Sequence, residues 1–146
     1  MLQLKPYQTA DFERINYYFP KKEIAKYTNE GKYRMLSLFA LYKSKFYLLW
    51  ENDNIVGCGV IRWKWSRDTK RFGYWLYAIW INPNYRGQGL GVVLMKSLFR
   101  ELCIQNIKKV FLTVDNKNTI AQNLYKKLGF EEILQNEQYI VMQYDL

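Results

Sequence analysis

Apolar residues along this chain recur at two periods, and the switches between the periods mark its elements. Residues 2–4 alternate as a short first strand that Pro6 ends. Thr9 is suited to cap a helix over residues 9–19, which Pro20 stops, and residues 32–43 predict a second helix, apolar on most sides through Met35, Leu36, Leu38, Phe39 and Leu41. Residues 46–50 and 55–63 have strand character and flank the turn Asn52-Asp53-Asn54, which makes them a hairpin. Gly57 and Gly59 weaken the second of these strands, and their presence predicts close approach by other backbone. A polar turn over 66–70 leads to the longest apolar strand, 72–81, closed by Asn82-Pro83-Asn84. From 89 to 102 the spacing turns helical, with Leu90, Val93, Leu94, Leu98 and Leu102 on one side. Residues 110–114 form a short buried-type strand. Asn118 caps a last helix whose apolar face is Ile120, Ala121, Leu124, Tyr125 and Leu128, with Gly129 as its stop. Residues 130–134 and 139–144 close the chain as a hairpin. The order βααβββαβαββ predicts one α/β domain over 1–146, a mixed sheet with helices on its faces.

Composition narrows the chemistry. With no histidine, Ser-His and Cys-His catalysis and His-ligated metals are excluded, and two cysteines cannot form a zinc site alone. Cys58 and Cys103 are expected to fill core space as small apolar residues. Acid–base work then falls to carboxylates, tyrosine, lysine or water. The N-terminus lacks the basic start and apolar core of a signal peptide, and no apolar run is long enough to span a membrane. A soluble cytoplasmic protein is the expectation. A net charge of +9 favours anionic partners in general, although the cations are scattered along the sequence.

Three glycines at alternate positions in Arg86-Gly87-Gln88-Gly89-Leu90-Gly91 strip side chains from a strand-to-helix turn. Successive backbone N–H groups can converge there beside the positive end of a helix dipole, an arrangement that binds phosphate. The dinucleotide fingerprint fails, because its third glycine would fall on Val92, and the P-loop pattern is absent.

The run from Arg86 to Gly91 resembles the Q/R-x-x-G-x-G/A motif of the GCN5-related N-acetyltransferase (GNAT) superfamily, and Ile79-Trp80-Ile81-Asn82-Pro83-Asn84-Tyr85 is similar to its strand-plus-proline lead-in. A second segment, Asn118-Thr119-Ile120-Ala121-Gln122-Asn123-Leu124-Tyr125-Lys126-Lys127-Leu128-Gly129-Phe130, resembles the family's N-x-x-A-x-x-L-Y-x-K-x-G-F block. The resemblance covers essentially the whole chain. It implies a mixed, centrally splayed β-sheet flanked by helices, and transfer of acetyl from acetyl-CoA, as co-substrate and without a metal, to an amine acceptor in a ternary complex. It places the pyrophosphate on the N–H groups of Arg86, Gly87, Gln88, Gly89, Leu90 and Gly91. It pairs the pantetheine arm with Ile79, Trp80 and Ile81, one N–H polarising the thioester carbonyl. Asn118 would bond that arm as well as cap its helix, Lys126 would meet nucleotide phosphates or stay solvated, and Tyr125 would protonate the leaving thiolate.

A phenol near pKa ~10 giving its proton to a thiolate near ~8.5 goes uphill by about 2 kcal/mol, so Tyr125 acts as a late donor or has a lowered pKa. An alkyl ammonium costs about 4.6 kcal/mol to deprotonate at pH 7, an α-ammonium about 1 kcal/mol. The central strand carries no carboxylate for this task; Tyr77, Asp115, Glu51 and a water chain remain candidates. Of the aromatics Tyr27, Tyr33, Phe39, Trp63, Trp65, Tyr74, Trp75, Tyr77 and Trp80, most are expected in the core, some walling an acceptor pocket. Two other readings stay open: a non-catalytic acyl-CoA-binding domain, and a basic nucleic-acid-binding domain. The latter is disfavoured because it calls for clustered Lys and Arg with exposed aromatics. No membrane partner is expected, and the sequence permits a homodimer.

Overall fold

The computed structural model describes residues 1–15 and 44–146. The helix expected over 32–43, with Tyr27, Tyr33 and Phe39, lies outside these residues. In chain order the elements are β1 (Leu2–Pro6), a 3-10 helix (Thr9–Arg14), β2 (Ser44–Glu51), β3 (Asn54–Ser66), β4 (Arg71–Ile81), a 3-10 turn (Pro83–Tyr85), α1 (Leu90–Ile104), β5 (Lys109–Asp115), α2 (Thr119–Leu128), β6 (Glu131–Gln135) and β7 (Tyr139–Asp145). The helix expected from Thr9 is thus 3-10 in its described part. Its entry is a turn in which the Gln8 N–H donates to Asp11 Oδ2 at 2.9 Å.

The strands form one sheet in the order β1-β2-β3-β4-β5-β7-β6. Every neighbouring pair is antiparallel except β4 and β5. β3 runs three residues past its expected end, because alternation continues through Trp63, Lys64 and Trp65 before Ser66 turns the chain. Ser66 Oγ there accepts from the Asp68 N–H at 3.2 Å.

Helices α1 and α2 lie on one face. Leu90, Leu94, Leu98 and Leu102 recur every four residues on α1 and are buried with Ile61, Leu76, Val110, Leu112 and Tyr125. Each such side chain contributes about 1.5–3 kcal/mol on removal from water. A Cβ on Gly59 would stand 2.9 Å from Leu98 Cδ1, so that glycine lets α1 settle against β3. A Cβ on Gly57 would stand 2.9 Å from the Trp80 carbonyl oxygen. The close backbone approach read from the sequence holds at Gly57, whereas at Gly59 the neighbours are side chains. The opposite face buries Phe46, Leu48, Trp50, Cys58 and Val60 around Ile15. Cys58 is fully buried as expected, but Cys103 is exposed, because it falls on the solvent side of α1. Among the described residues no helix is long and apolar enough to cross a membrane.

Candidate active site

The parallel pair holds the sheet together at two positions only, Tyr74 opposite Val110 and Trp75 opposite Phe111. Beyond them β4 continues to Ile81 and β5 to Asp115 without pairing with each other, so the sheet splays at its centre. The gap is a cleft of about 280 Å³, walled by Leu76 to Ile79 of β4, Leu112 to Asp115 of β5, and Asn118, Ala121 and Tyr125 beyond. Two facing strand edges with unpaired N–H and C=O groups can take an extended chain between them, as an added strand would pair.

β4 enters this gap with a defect. The β3–β4 register shifts between Cys58 and Val60, and opposite the shift Ala78 has φ +51°, a left-handed conformation that costs a residue with a Cβ about 1–2 kcal/mol. The Cys58 thiol donates to the Ala78 carbonyl at 3.3 Å. Because a trans peptide points its C=O and N–H in opposite directions, this bond turns the Ile79 N–H away from Cys58. Of the strand residues singled out in the sequence, Ile79 lines the cleft. Trp80 and Ile81 do not; the Trp80 ring lies on the opposite face, under the Arg86 guanidinium at 4.6 Å.

Tyr125 is buried, against Phe130 with ring centroids 5.7 Å apart, yet borders the cleft. Burial pushes its phenol up to about 12. The lowered pKa that would ease proton transfer is therefore not what the fold produces. Asn118 is exposed at the N-cap of α2, where its Oδ1 accepts from the Ala121 N–H at 3.2 Å. With that oxygen engaged as a cap, only its amide donors can serve a ligand. Lys126 is exposed in the last turn of α2 and makes no ion pair among the described residues.

At the end of β4 the buried Asn82 fixes the chain's exit: its N–H donates to the Val56 carbonyl at 2.9 Å and its Oδ1 accepts from the Asn84 N–H at 3.0 Å. Gly87 (φ +79°) and Gly89 (φ +77°) then take left-handed turns into α1, where no other atom lies within 4 Å of a Cβ. The N–H groups of residues 87–92 have no partner among the described residues, since the first helical bond runs from Val93 to Gly89. Arg86 and Gly91 depart from the expected pattern. The Arg86 N–H already donates to Pro83, and its Nε donates to the Ile81 carbonyl at 3.0 Å. Gly91 is helical, and a Cβ there would stand 3.1 Å from Leu124 Cδ2, so its smallness serves the α1–α2 contact.

Of the candidate bases, Tyr77 and Asp115 border the cleft. The Asp115 carboxylate accepts from the Lys117 N–H at 2.7 Å. Glu51 lies at the β2–β3 hairpin and is not part of the cleft wall. Sequence reading missed Ala78 and Thr113. An alanine in the left-handed region carries no sequence signal; the glycines opposite it in β3 are the only local hint of irregular packing.

Comparison with known proteins gives this geometry its context. The acetyltransferase (GNAT) family model matches residues 8–130. The chain is 29% identical over 92 residues to a ribosomal protein bS18-alanine N-acetyltransferase of Haemophilus ducreyi, covering 63% of this chain and 59% of that protein. It is 30% identical over 69 residues to the spermine/spermidine N(1)-acetyltransferase of Bacillus subtilis, covering 47% and 45%. The matched stretches span about half the length of these relatives. In fold, the chain resembles the PaiA N-acetyltransferase of Thermoplasma acidophilum in complex with coenzyme A (TM-score 0.74, 13% identity, 100% and 99% of the two chains). It also resembles a GNAT family acetyltransferase of Elizabethkingia anophelis with acetyl-CoA bound (TM-score 0.69, 20% identity, 99% and 98%). With a family model matching most of its length, the chain belongs to the acetyltransferase (GNAT) family.

Proposed function

We propose that this protein is an acetyl-CoA-dependent N-acetyltransferase acting on a primary amine. The observation that carries the reading is the continuity of three features: the unpaired N–H groups of residues 87–92, the open edge of β4 beside them, and the Tyr125 phenol bordering the same cleft. Pyrophosphate sits on the first feature, where backbone donors and the helix dipole favour an anion. The Arg86 guanidinium, held on Trp80, adds charge from the side. The pantetheine arm pairs with Ile79 and its neighbours, and the Asn118 amide donates to it.

The amine lone pair attacks the thioester carbon while the Ile79 N–H stabilises the developing oxyanion. Loss of one such donor typically costs 10²–10³ in rate, by order of magnitude. The C–S bond then breaks, the thiolate accepts the Tyr125 proton, and the amine's extra proton leaves through Tyr77, Asp115 or water. Transfer from a phenol near 12 to an ordinary thiolate is uphill by about 5 kcal/mol. Enclosure of the sulfur raises its proton affinity too, which narrows that gap. The relatives are named for N-acetylation of a ribosomal-protein alanine and of spermine and spermidine at N(1), which supports an amine acceptor here.

Thermal-shift titration with acetyl-CoA, followed by thiol release against a panel of α-amines, lysine amines and polyamines, tests this. Ligand at 100 times Kd should stabilise the fold by about 2.7 kcal/mol, a rise of several degrees. No shift at millimolar acetyl-CoA would sink the reading. A shift without thiol release from any amine would leave a binding domain.

A further inference from the structure

The end of the β3–β4 hairpin farthest from the glycine loop exposes three large aromatic side chains: Trp63 is 36% exposed, Trp65 54% and Phe72 57%. The register causes this. Trp63 pairs with Tyr74 and Trp65 with Phe72, so all four rings share the face that Ile61 and Leu76 present to α1. But α1 ends at Ile104, and the hairpin projects beyond it. The rings form their own array: Trp63 stacks on Phe72 at 5.9 Å with planes 12° apart, Trp63 meets Tyr74 at 4.8 Å, and Trp65 meets Phe72 edge-on at 5.6 Å.

Beside this array runs a groove of about 450 Å³, whose opposite bank is residues 105–109. Its charge is of one sign. Arg71, Lys108 and Lys109 line it, and no carboxylate does among the described residues. Asp68 accepts from the Tyr139 hydroxyl at 3.0 Å, and Lys109 is ion-paired with Asp145 at 3.5 Å, which leaves Arg71, its guanidinium 5.4 Å from the Phe111 ring centroid, and Lys108 as the lining cations without an ion pair among the described residues. Cations that are scattered in sequence are thus gathered by the fold beside exposed aromatics, the combination that the sequence alone did not display.

We propose that this surface binds single-stranded nucleic acid. Bases stack on Trp63, Trp65 and Phe72, phosphates lie against Arg71 and Lys108, and the Asn106 side-chain amide faces base edges. Exposed aromatic side chains suit unpaired bases, because every base has a π-face to offer. A duplex keeps its bases in its own stack and would engage only the cations. An acidic peptide would likewise leave the indole faces unused. The surface lies away from the acetyl-CoA cleft and does not depend on the function proposed for it.

Fluorescence anisotropy with labelled 12-nucleotide oligo(U), oligo(dT) and a duplex of equal length tests the proposal on the full chain. Both single strands should bind about tenfold more tightly than the duplex and quench tryptophan emission, and a preference between them tells RNA from DNA. Trp65→Ala and Phe72→Ala should each weaken binding about tenfold at unchanged salt slope, whereas Lys108→Ala should lower that slope by about one phosphate contact. Because both aromatics are exposed, the variants should fold, and a wild-type melting temperature checks it. Equal binding of duplex and single strand, or aromatic variants that bind as wild type does, would overturn the proposal. So would sedimentation showing that this face instead joins two copies of the chain, with no oligonucleotide bound.

Discussion

A phenol as enclosed as Tyr125 keeps its proton through the whole range in which an amine acceptor titrates. Burial raises its pKa from 10.0 to about 12, so the donor form is complete below pH 10 and is lost only as pH rises through about 12. The same shift favours the folded state up to pH 10 and fades between 10 and 12. Rate should accordingly climb with pH as the acceptor amine deprotonates and then level off. A pH–rate profile of kcat/KM that falls with a midpoint near 10 would mean that the donor titrates as an ordinary phenol, against the enclosure of Tyr125. Tyr125→Phe should leave acetyl-CoA affinity within about twofold and lower kcat about 10²- to 10⁴-fold, the range of a lost general acid. Unchanged turnover would return this side chain to a packing role. The two cysteines make a separate check. Cys58 is enclosed, bonded to Ala78 and pushed far above the ordinary thiol range, whereas Cys103 is exposed. Native protein should therefore react with one equivalent of a disulfide reagent, and denatured protein with two. Two rapid equivalents in the native state would mean that β3 does not shield Cys58.

At the scale of elements, the glycine turn and α1 illustrate what sequence does and does not disclose. Alternate glycines before a helical pattern announce a loop stripped of side chains, and Gly87 and Gly89 use that freedom in left-handed turns. Gly91 belongs to the same motif but answers a different need, the approach of Leu124. No local pattern separates the two roles, because the second depends on a helix about thirty residues away in sequence. They separate by experiment. Gly89→Glu should weaken acetyl-CoA binding at least about 100-fold by placing a carboxylate among the phosphate donors, with only the modest cost of a strained φ to stability. Gly91→Val should instead lower the melting temperature by several degrees, as overpacking typically costs about 1–3 kcal/mol. Titration calorimetry and melting curves on both variants decide the matter; equal effects on affinity and stability would mean the loop and the helix contact are one unit. The same reasoning explains the misread boundaries. Strand β3 outruns its expected end because alternation continues through Trp63, Lys64 and Trp65 and because β4 supplies cross-strand aromatic partners; only the first of these is visible within one segment.

On the scale of the molecule, the splayed sheet is the feature that sequence named only through resemblance. Strand alternation gave the elements, yet nothing in residues 72–81 or 110–114 says that their pairing stops after two positions. Gly73 shows how tightly those two are made: a Cβ there would stand 2.9 Å from Phe111 Cε2, so the strands meet only because one of them carries no side chain at the junction. Four strands stand on one side of the parting and three on the other, joined in the sheet by Tyr74, Trp75, Val110 and Phe111 and on one face by the helices. A donor substrate that pairs with both edges would complete the sheet, and its effect should be confined accordingly. Hydrogen exchange should slow on acetyl-CoA binding in residues 76–81, 87–92 and 112–115, where N–H groups gain partners or lose solvent, and stay unchanged in the β1 and β6 edge strands. Protection spread evenly over the sheet would indicate global stabilisation alone. Protection of the loop without the strands would show that pyrophosphate binds while the pantetheine arm lies elsewhere, and would remove the Ile79 N–H from the reaction.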